Sequence, residues 1–147
     1  MNTKTQLEDA LKDAMREKDD LRKSTIRSAL SAIKLAEVEK KSELDESAVL
    51  AVIQKEVKYR QESIEDAQRA DRPDLIEEYQ SEIAVLEEFL PEQLTSEELE
   101  DLARQVVDEV GATSMRDMGQ VMKVLIPRLE GRASGQEASQ MVRNLLQ

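Results

Sequence analysis

At 147 residues the chain suits one compact domain or two small ones, and 2% aromatic residues with a mostly Leu, Ala, Val, Ile and Met apolar set read as helical rather than sheet-forming. Neither Cys nor His is present, which excludes disulfides, thiolate nucleophiles, zinc sites with Cys or His ligands and imidazole acid–base catalysis. The net charge of −11 argues against a nucleic-acid partner for the chain as a whole, but it is unevenly spread: residues 1–41 carry +2, residues 42–110 carry −15 and residues 111–147 carry +2.

Four Gly and three Pro are the only strong punctuation, so the elements should be long. Thr3-x-x-Gln6 reads as a capping box opening a first helix, with Leu7, Ala10, Leu11, Ala14 and Met15 on one face. Lys18-Asp19-Asp20 breaks it, and Asp19 or Asp20 can cap a second helix. That helix has a stripe of Leu21, Thr25, Ala29, Ala32, Ile33 and Ala36, widened by Ile26 and Leu30, and its small residues predict close helix packing. Residues 42–45 form a polar connector. Asp45 caps a long third helix to about Ala70, with apolar positions Val49, Val52, Ile53, Val57 and Ile64.

Asp71-Arg72-Pro73 stops the third helix, and Pro73 fits the first turn of a fourth. The face of the fourth helix is Leu75, Ile76, Tyr79, Ile83, Leu86 and Phe89 or Leu90. Two long helices joined by a short turn predict an antiparallel hairpin. Its apolar ends should pack on the first two helices, while the stretch from Ser63 to Asp74 is too polar to be buried.

Leu90-Pro91 closes the N-terminal part, and residues 91–94 read as a linker. Thr95-x-x-Glu98 is a second capping box, opening a helix with Leu99, Leu102, Ala103, Val106 and Val110 and ending at Gly111. Ser114-x-x-Asp117 caps the next, with Met115, Met118, Val121, Met122 and Leu125, and Pro127 lies within or just past its end. Residues 130–135 form a loop. Ser134-x-x-Glu137 is one more box before a closing helix with Ala138, Met141, Val142, Leu145 and Leu146. The fold expected is all-α, with a four-helix N-terminal part over residues 1–92 and three helices over residues 93–147.

Carboxylates are abundant in the middle segment, as in Glu77-Glu78 and Glu87-Glu88, but a catalytic pair needs burial or a close like charge, and runs on a charged helix are solvated faces. Carboxylates alone would suit Mg²⁺ or Ca²⁺, yet no ordered ligand spacing is present, so neither a metal nor another cofactor is expected. No Gly-rich phosphate loop follows a strand, and nothing marks a Ser or Lys as an activated nucleophile. No stretch approaches the roughly 20 apolar residues of a membrane span, and the first residues lack a signal-peptide run. The compartment expected is the cytoplasm.

The last third carries a distinct constellation: Gly119-Gln120-Val121-Met122-Lys123, then Gly131-Arg132-Ala133, then Val142-x-x-Leu145-Leu146. Lys123, Arg128, Arg132 and Arg143 stand in or near it. Arg132, in a loop before a capped helix N-terminus, would suit a phosphate together with free backbone N–H groups. Gly131 and Gly135 would let a backbone pass close. The alternative is structural: Gly119 as a close helix-packing contact, Gly131 as a C-cap and Arg132 as an exposed charge.

Over nearly its whole length the chain resembles the YqeY family. In the N-terminal part the resemblance rests on Leu21-Arg22-x-x-x-Ile26-Arg27-x-x-x-x-Ala32-Ile33-Lys34, on Ile53-Gln54-Lys55-Glu56-Val57-Lys58-x-Arg60, on Ser63-Ile64 and on Leu86-Glu87-x-Phe89-Leu90-Pro91-x-Gln93-Leu94. In the C-terminal part it rests on Asp117-Met118-Gly119-x-Val121-Met122-Lys123 and Pro127-x-Leu129-x-Gly131-Arg132-Ala133-x-Gly135. That family shares its C-terminal unit with the tail of the GatB subunit of tRNA-dependent amidotransferases, where the tail helps to hold tRNA. The resemblance implies a four-helix N-terminal part followed by a three-helix GatB/YqeY-type tail. It also implies a non-catalytic tRNA- or RNA-binding accessory protein, with Lys123, Arg128, Arg132 and Arg143 toward nucleic acid and Gly119, Gly131 and Gly135 shaping the surface. A label of carbon–nitrogen ligase activity with glutamine as amido donor belongs to other domains of the amidotransferase. Two features depart from the tail pattern: the spacer from Met122-Lys123 to Gly131-Arg132-Ala133 is longer, and the acidic middle segment has no counterpart there. The rival expectation is a protein–protein adaptor whose acidic hairpin over residues 45–90 meets a basic, translation-related protein.

Overall fold

A computed structural model describes residues 2–147. Among these residues there are seven α-helices and one 3-10 turn and no strands, so the fold is all-α. The chain divides into two compact units, Met1–Pro91 and Glu92–Gln147.

In the first unit, α1 (Thr3–Arg16) and α2 (Asp20–Lys40) are followed by α3 (Glu46–Arg69) and α4 (Pro73–Glu87). The caps are short polar residues whose oxygens satisfy first-turn N–H groups: Asp19 accepts from Arg22 N at 3.1 Å and Asp45 from Ala48 N at 2.8 Å. The cap of α1 is Asn2, accepting from Thr5 N at 2.8 Å, and not Thr3 as the Thr-x-x-Gln pattern predicts. Asn caps at least as well as Thr, and Thr3 is used elsewhere. Its N–H and hydroxyl both donate to the Glu46 carboxylate, tying the start of α1 to the start of α3 and burying Thr3.

Leu7 of α1, Ile26, Ala29 and Ile33 of α2, Val49 and Ile53 of α3 and Leu86 of α4 form one core. Each such Leu, Ile or Val contributes on the order of 1.5–3 kcal/mol by leaving water. Met15 is a correction to the expected α1 face. It lies one residue round from Ala14 on the last turn and stays 49% exposed.

The base of the α3–α4 hairpin therefore packs on α1 and α2, and its remainder projects beyond that core. Midway along it Arg60, only 5% exposed, pairs with Glu56 and Glu82 at 3.2 Å each and reaches Ser28 Oγ at 3.4 Å. A buried guanidinium needs such partners, since burial without them costs several kcal/mol. The stretch from Ser63 to Asp74 is exposed or half-buried except for Ala67, whose small side chain fits between the helices near the tip. Pro73 occupies the first turn of α4, as expected. The helix ends at Glu87, so Phe89 and Leu90 reach the core fringe from a turn rather than from a helix face.

In the second unit, α5 (Ser96–Val110) opens on a complete Thr95–Glu98 capping box and ends on Gly111 at φ +70°, a left-handed conformation that costs glycine no Cβ clash. Ser114 and Asp117 form a second complete box, on a 3-10 turn over Met115–Asp117. That turn leads into α6 (Met118–Leu129), with Pro127 inside its last turn. The final helix α7 (Gly135–Leu146) is capped by Ser134, which accepts from Glu137 N at 3.1 Å. The box there is one-sided, because the Ser134 hydroxyl itself donates to the Glu137 carboxylate. Leu99, Ala103 and Val106 of α5, Val121, Leu125 and Leu129 of α6, and Ala138, Val142 and Leu146 of α7 share a core with Ala133.

Candidate functional site

The constellation of the last third folds into the second unit, around the turn between α6 and α7. Glu130 at φ +50° and Gly131 at φ +75° end α6 with two left-handed residues in succession. The chain then runs alongside residues 92–94. Leu94 N donates to Arg132 O at 2.7 Å, Gln93 Nε2 donates to Gly131 O at 3.0 Å, and Arg132 Nε donates to Glu92 O at 2.9 Å. Residues 92–94, which read as a linker, are stitched to the site loop by three hydrogen bonds. Arg132 is half-buried, with its Nε committed to the Glu92 carbonyl and its backbone N–H to Leu129 O, so its side chain is anchored to residues 92–94 while its charge has no carboxylate in ion-pair contact among the described residues. Its charge also reaches Glu98, whose carboxyl is held below the usual glutamate range chiefly by the Thr95 backbone N–H.

Arg128 is committed more fully. It forms a two-pronged pair with Glu109 of α5, Nη1–Oε1 at 3.1 Å and Nη2–Oε2 at 2.6 Å. The guanidinium lowers the Glu109 pKa below the ordinary carboxylate range, and the carboxylate raises that of Arg128 in return. Sequence spacing could not reveal this pair, because its partners lie nineteen residues apart on different helices.

Lys123 on α6 and Arg143 on α7 are exposed, and among the described residues neither side chain has a hydrogen bond or ion pair. Gly119, Lys123 and Ile126 recur at i, i+4 and i+7, and all are exposed, which puts them along the solvent side of α6. A Cβ on Gly119 would meet nothing within 4 Å, so this glycine is not a close helix-packing contact. A Cβ on Gly135 would meet Ile126 Cδ1 at 3.6 Å, an ordinary contact. Exposed Met115 and Arg116 precede Gly119 on the 3-10 turn. The seven candidates thus fall into two sets: Arg128, Arg132 and Gly131 bind the unit to itself, while Gly119, Lys123, Gly135 and Arg143 are exposed.

The compact unit begins at Glu92 and so includes acidic α5; with six Lys/Arg and ten Asp/Glu its net charge is −4. The +2 of residues 111–147 is therefore local to α6, α7 and their connections. Among the described residues no three Asp or Glu side chains are grouped to hold a metal ion, and no helix is long and apolar enough to cross a membrane.

Residues 4–146 match the family model described as "Yqey-like protein". Relatives include "Altered inheritance of mitochondria protein 41, mitochondrial" of Lachancea thermotolerans, 43% identical over 54% of this chain and 43% of the relative. The protein of the same name from Kluyveromyces lactis is 42% identical over 56% of this chain and 45% of its own length. That from Pyrenophora tritici-repentis is 32% identical over 86% of this chain and 71% of its own. The chain spans less than half the length of the first two, and the mitochondrial location in these names is a statement about those fungal proteins. With a match from residue 4 to residue 146, the chain belongs to the family of Yqey-like proteins.

Proposed function

We propose that this protein is a non-catalytic accessory protein that binds RNA of the tRNA kind through the solvent side of α6 and Arg143 of α7. The observation that carries this reading is the state of the cations in the second unit. Arg128 is spent on Glu109 and Arg132 Nε on a backbone carbonyl, whereas Lys123 and Arg143 are exposed and without partners among the described residues. An unpaired cation loses no protein contact when it takes up a phosphate, so these two are the ones available for it. Gly119 supports the same surface. Its missing side chain leaves the α6 backbone open to a close approach, and nothing inside the unit requires it. The resemblance to the GatB tail supplies the class of RNA.

The test is a titration of the full chain with a tRNA pool at low and at physiological salt. Binding should weaken as salt rises, because phosphate neutralisation releases counterions, and Lys123→Ala with Arg143→Ala should lower affinity about tenfold at low salt. Affinity that ignores both salt and the double substitution would sink the proposal. The same reading places the protein in the cytoplasm; recovery in the mitochondrial fraction of its own cells would overturn that placement.

A protein–protein adaptor is the second reading, favoured by the hairpin whose distal half leaves the core. There Arg69 and Arg72 are spent on Asp66 and Asp74, leaving the tip's other carboxylates to solvent. It expects a basic protein partner whose capture is lost when residues 63–74 are replaced by a short turn. Capture that survives this replacement would count against it.

A further inference from the structure

Cations outnumber carboxylates in one place in the first unit. Leu21–Ala36 holds Arg22, Lys23, Arg27 and Lys34 and no Asp or Glu, and residues 47–61 hold Lys55, Lys58 and Arg60 against Glu56 alone. In a chain of net charge −11 this is the reverse of the average. Arg22 pairs with Glu88 and Arg60 with Glu56 and Glu82. Lys23, Arg27, Lys34, Lys55 and Lys58 have no side-chain hydrogen bond or ion pair among the described residues, although acids abound elsewhere.

The two segments are neighbours. Ser28 Oγ on α2 donates to Glu56 Oε1 on α3 at 2.9 Å, and Arg60 bridges the same pair. Arg27, Ser31 and Lys34 recur at i, i+4 and i+7 and are all exposed, so they line the solvent side of α2, with Arg27 and Lys34 about 10 Å apart along the axis. On α3, Lys55 and Tyr59 are exposed at i and i+4, so they share one side of the helix, next to Glu56. Tyr59 is 64% exposed in a chain with only three aromatic residues. Glu56 is turned inward to Ser28 and Arg60, and Glu62, exposed three residues past Tyr59 on the same side of α3, bounds the patch toward the hairpin tip.

We propose that the outer face of α2 and α3 binds a single strand of RNA, with Arg27, Lys34 and Lys55 on its phosphates and the Tyr59 ring under an unpaired base. Unpaired, exposed cations are complementary to a polyanion, and an exposed ring among them offers the stacking platform that an unpaired base takes regardless of its identity. A duplex hides its base faces and would leave Tyr59 unused. The choice of RNA over DNA rests on the function proposed above. The surface itself does not, since it lies in the other unit and shares no residue with α6.

The experiment uses the full chain and three probes: a fluorescent uridine oligonucleotide, a thymidine oligonucleotide of equal length, and vesicles of phosphatidylcholine and phosphatidylserine in equal parts. The combined substitution Arg27→Ala, Lys34→Ala and Lys55→Ala should weaken uridine binding at least tenfold and reduce its log–log salt slope by about 2, the value for three single-strand phosphate contacts. Tyr59→Ala should weaken it roughly tenfold, and Tyr59→Phe should restore it, because stacking needs the ring and not the hydroxyl. Lys123→Ala with Arg143→Ala should leave it unchanged, which separates this surface from the tail. All substituted positions are exposed, and circular dichroism verifies that each variant is folded. Uridine binding that survives the triple substitution overturns the proposal. Thymidine binding of equal strength overturns RNA as the occupant, and vesicle binding lost in the same variants replaces it with a membrane. Unchanged tRNA affinity in the Lys123/Arg143 variant would overturn the tail reading and leave this one standing.

Discussion

Arg132 holds Glu92. Its Nε donates to the Glu92 carbonyl at 2.9 Å while its own carbonyl accepts from Leu94 N at 2.7 Å, so one residue pins both ends of a three-residue segment. The role is mechanical and gives a prediction different from that of a phosphate ligand. Arg132→Ala should lower the stability of the second unit by about 1 kcal/mol, the usual worth of a partly exposed hydrogen bond, read as a lower urea midpoint at unchanged slope. It should also speed proteolysis between residues 91 and 95. A variant with reduced tRNA affinity and an unchanged urea midpoint would instead make Arg132 a ligand.

Arg60 presents the opposite balance, a cation that burial makes dependent on its partners. Arg60→Ala leaves the Glu82 and Glu56 carboxylates facing each other in a half-buried site and should cost about 2–4 kcal/mol in urea unfolding, somewhat under the cost of breaking a fully buried pair. Replacing Arg60 by Met and Glu82 by Leu together should recover most of that loss. A loss under 0.5 kcal/mol for Arg60→Ala would show the network to be no stronger than an ordinary surface pair.

The start of α1 is fastened by Glu37, which accepts from Leu44 N at 3.0 Å and pairs with Lys4 at 3.0 Å. The Leu44 N–H, and then Lys4, hold the Glu37 carboxyl below the usual glutamate range, and the Glu37 carboxylate raises Lys4. A depressed folded-state pKa means that the stabilisation is fully present above the unfolded-state pKa and is lost as pH falls through the folded one. The melting temperature should therefore fall on acidification below the ordinary glutamate range, and Glu37→Gln should flatten part of that fall while lowering the value at neutral pH. Parallel wild-type and variant curves would exclude Glu37 as a contributor.

Gly119 ties a stability prediction to the proposed RNA contact. It lies in the first turn of α6 with open space where a Cβ would stand, so Gly119→Ala should stabilise the protein by about 0.5–1 kcal/mol through helix propensity alone. If the α6 face approaches RNA closely, the same substitution should weaken tRNA binding severalfold. A more stable protein with undiminished affinity would remove Gly119 from the interface.

Lys41 ends α2 at φ +62°, a left-handed position that disfavours any Cβ. Lys41→Gly should raise stability by up to about 1 kcal/mol, as glycine does at helix ends of this kind. A lower melting temperature would show that the Lys41 side chain supplies more than its backbone strain removes.

The helices, most of their caps and the two cores were legible in the sequence, because each is set by contacts between residues close along the chain. Asp19, Asp45, Thr95 and Ser114 cap first turns three residues away, and Leu99, Ala103 and Val106 recur at the helical period. Even the buried Arg60–Glu56 pair has the i, i+4 spacing that a reader of charges could have used. The cap of α1 was misassigned, since choosing between Asn2 and Thr3 depends on Glu46, forty-three residues away, which takes the Thr3 donors. The state of each cation was beyond reach for the same reason. Which arginine is engaged and which lysine is free follows from carboxylates and carbonyls far along the chain, such as Glu109 for Arg128, Glu92 for Arg132 and Glu88 for Arg22. The sequence by itself thus determined an all-helical chain with its turns and apolar faces in place, through local propensity and periodicity. Only the tertiary structure decided which charges remain open to a ligand, because an ion pair depends on distance in space and not on separation along the chain.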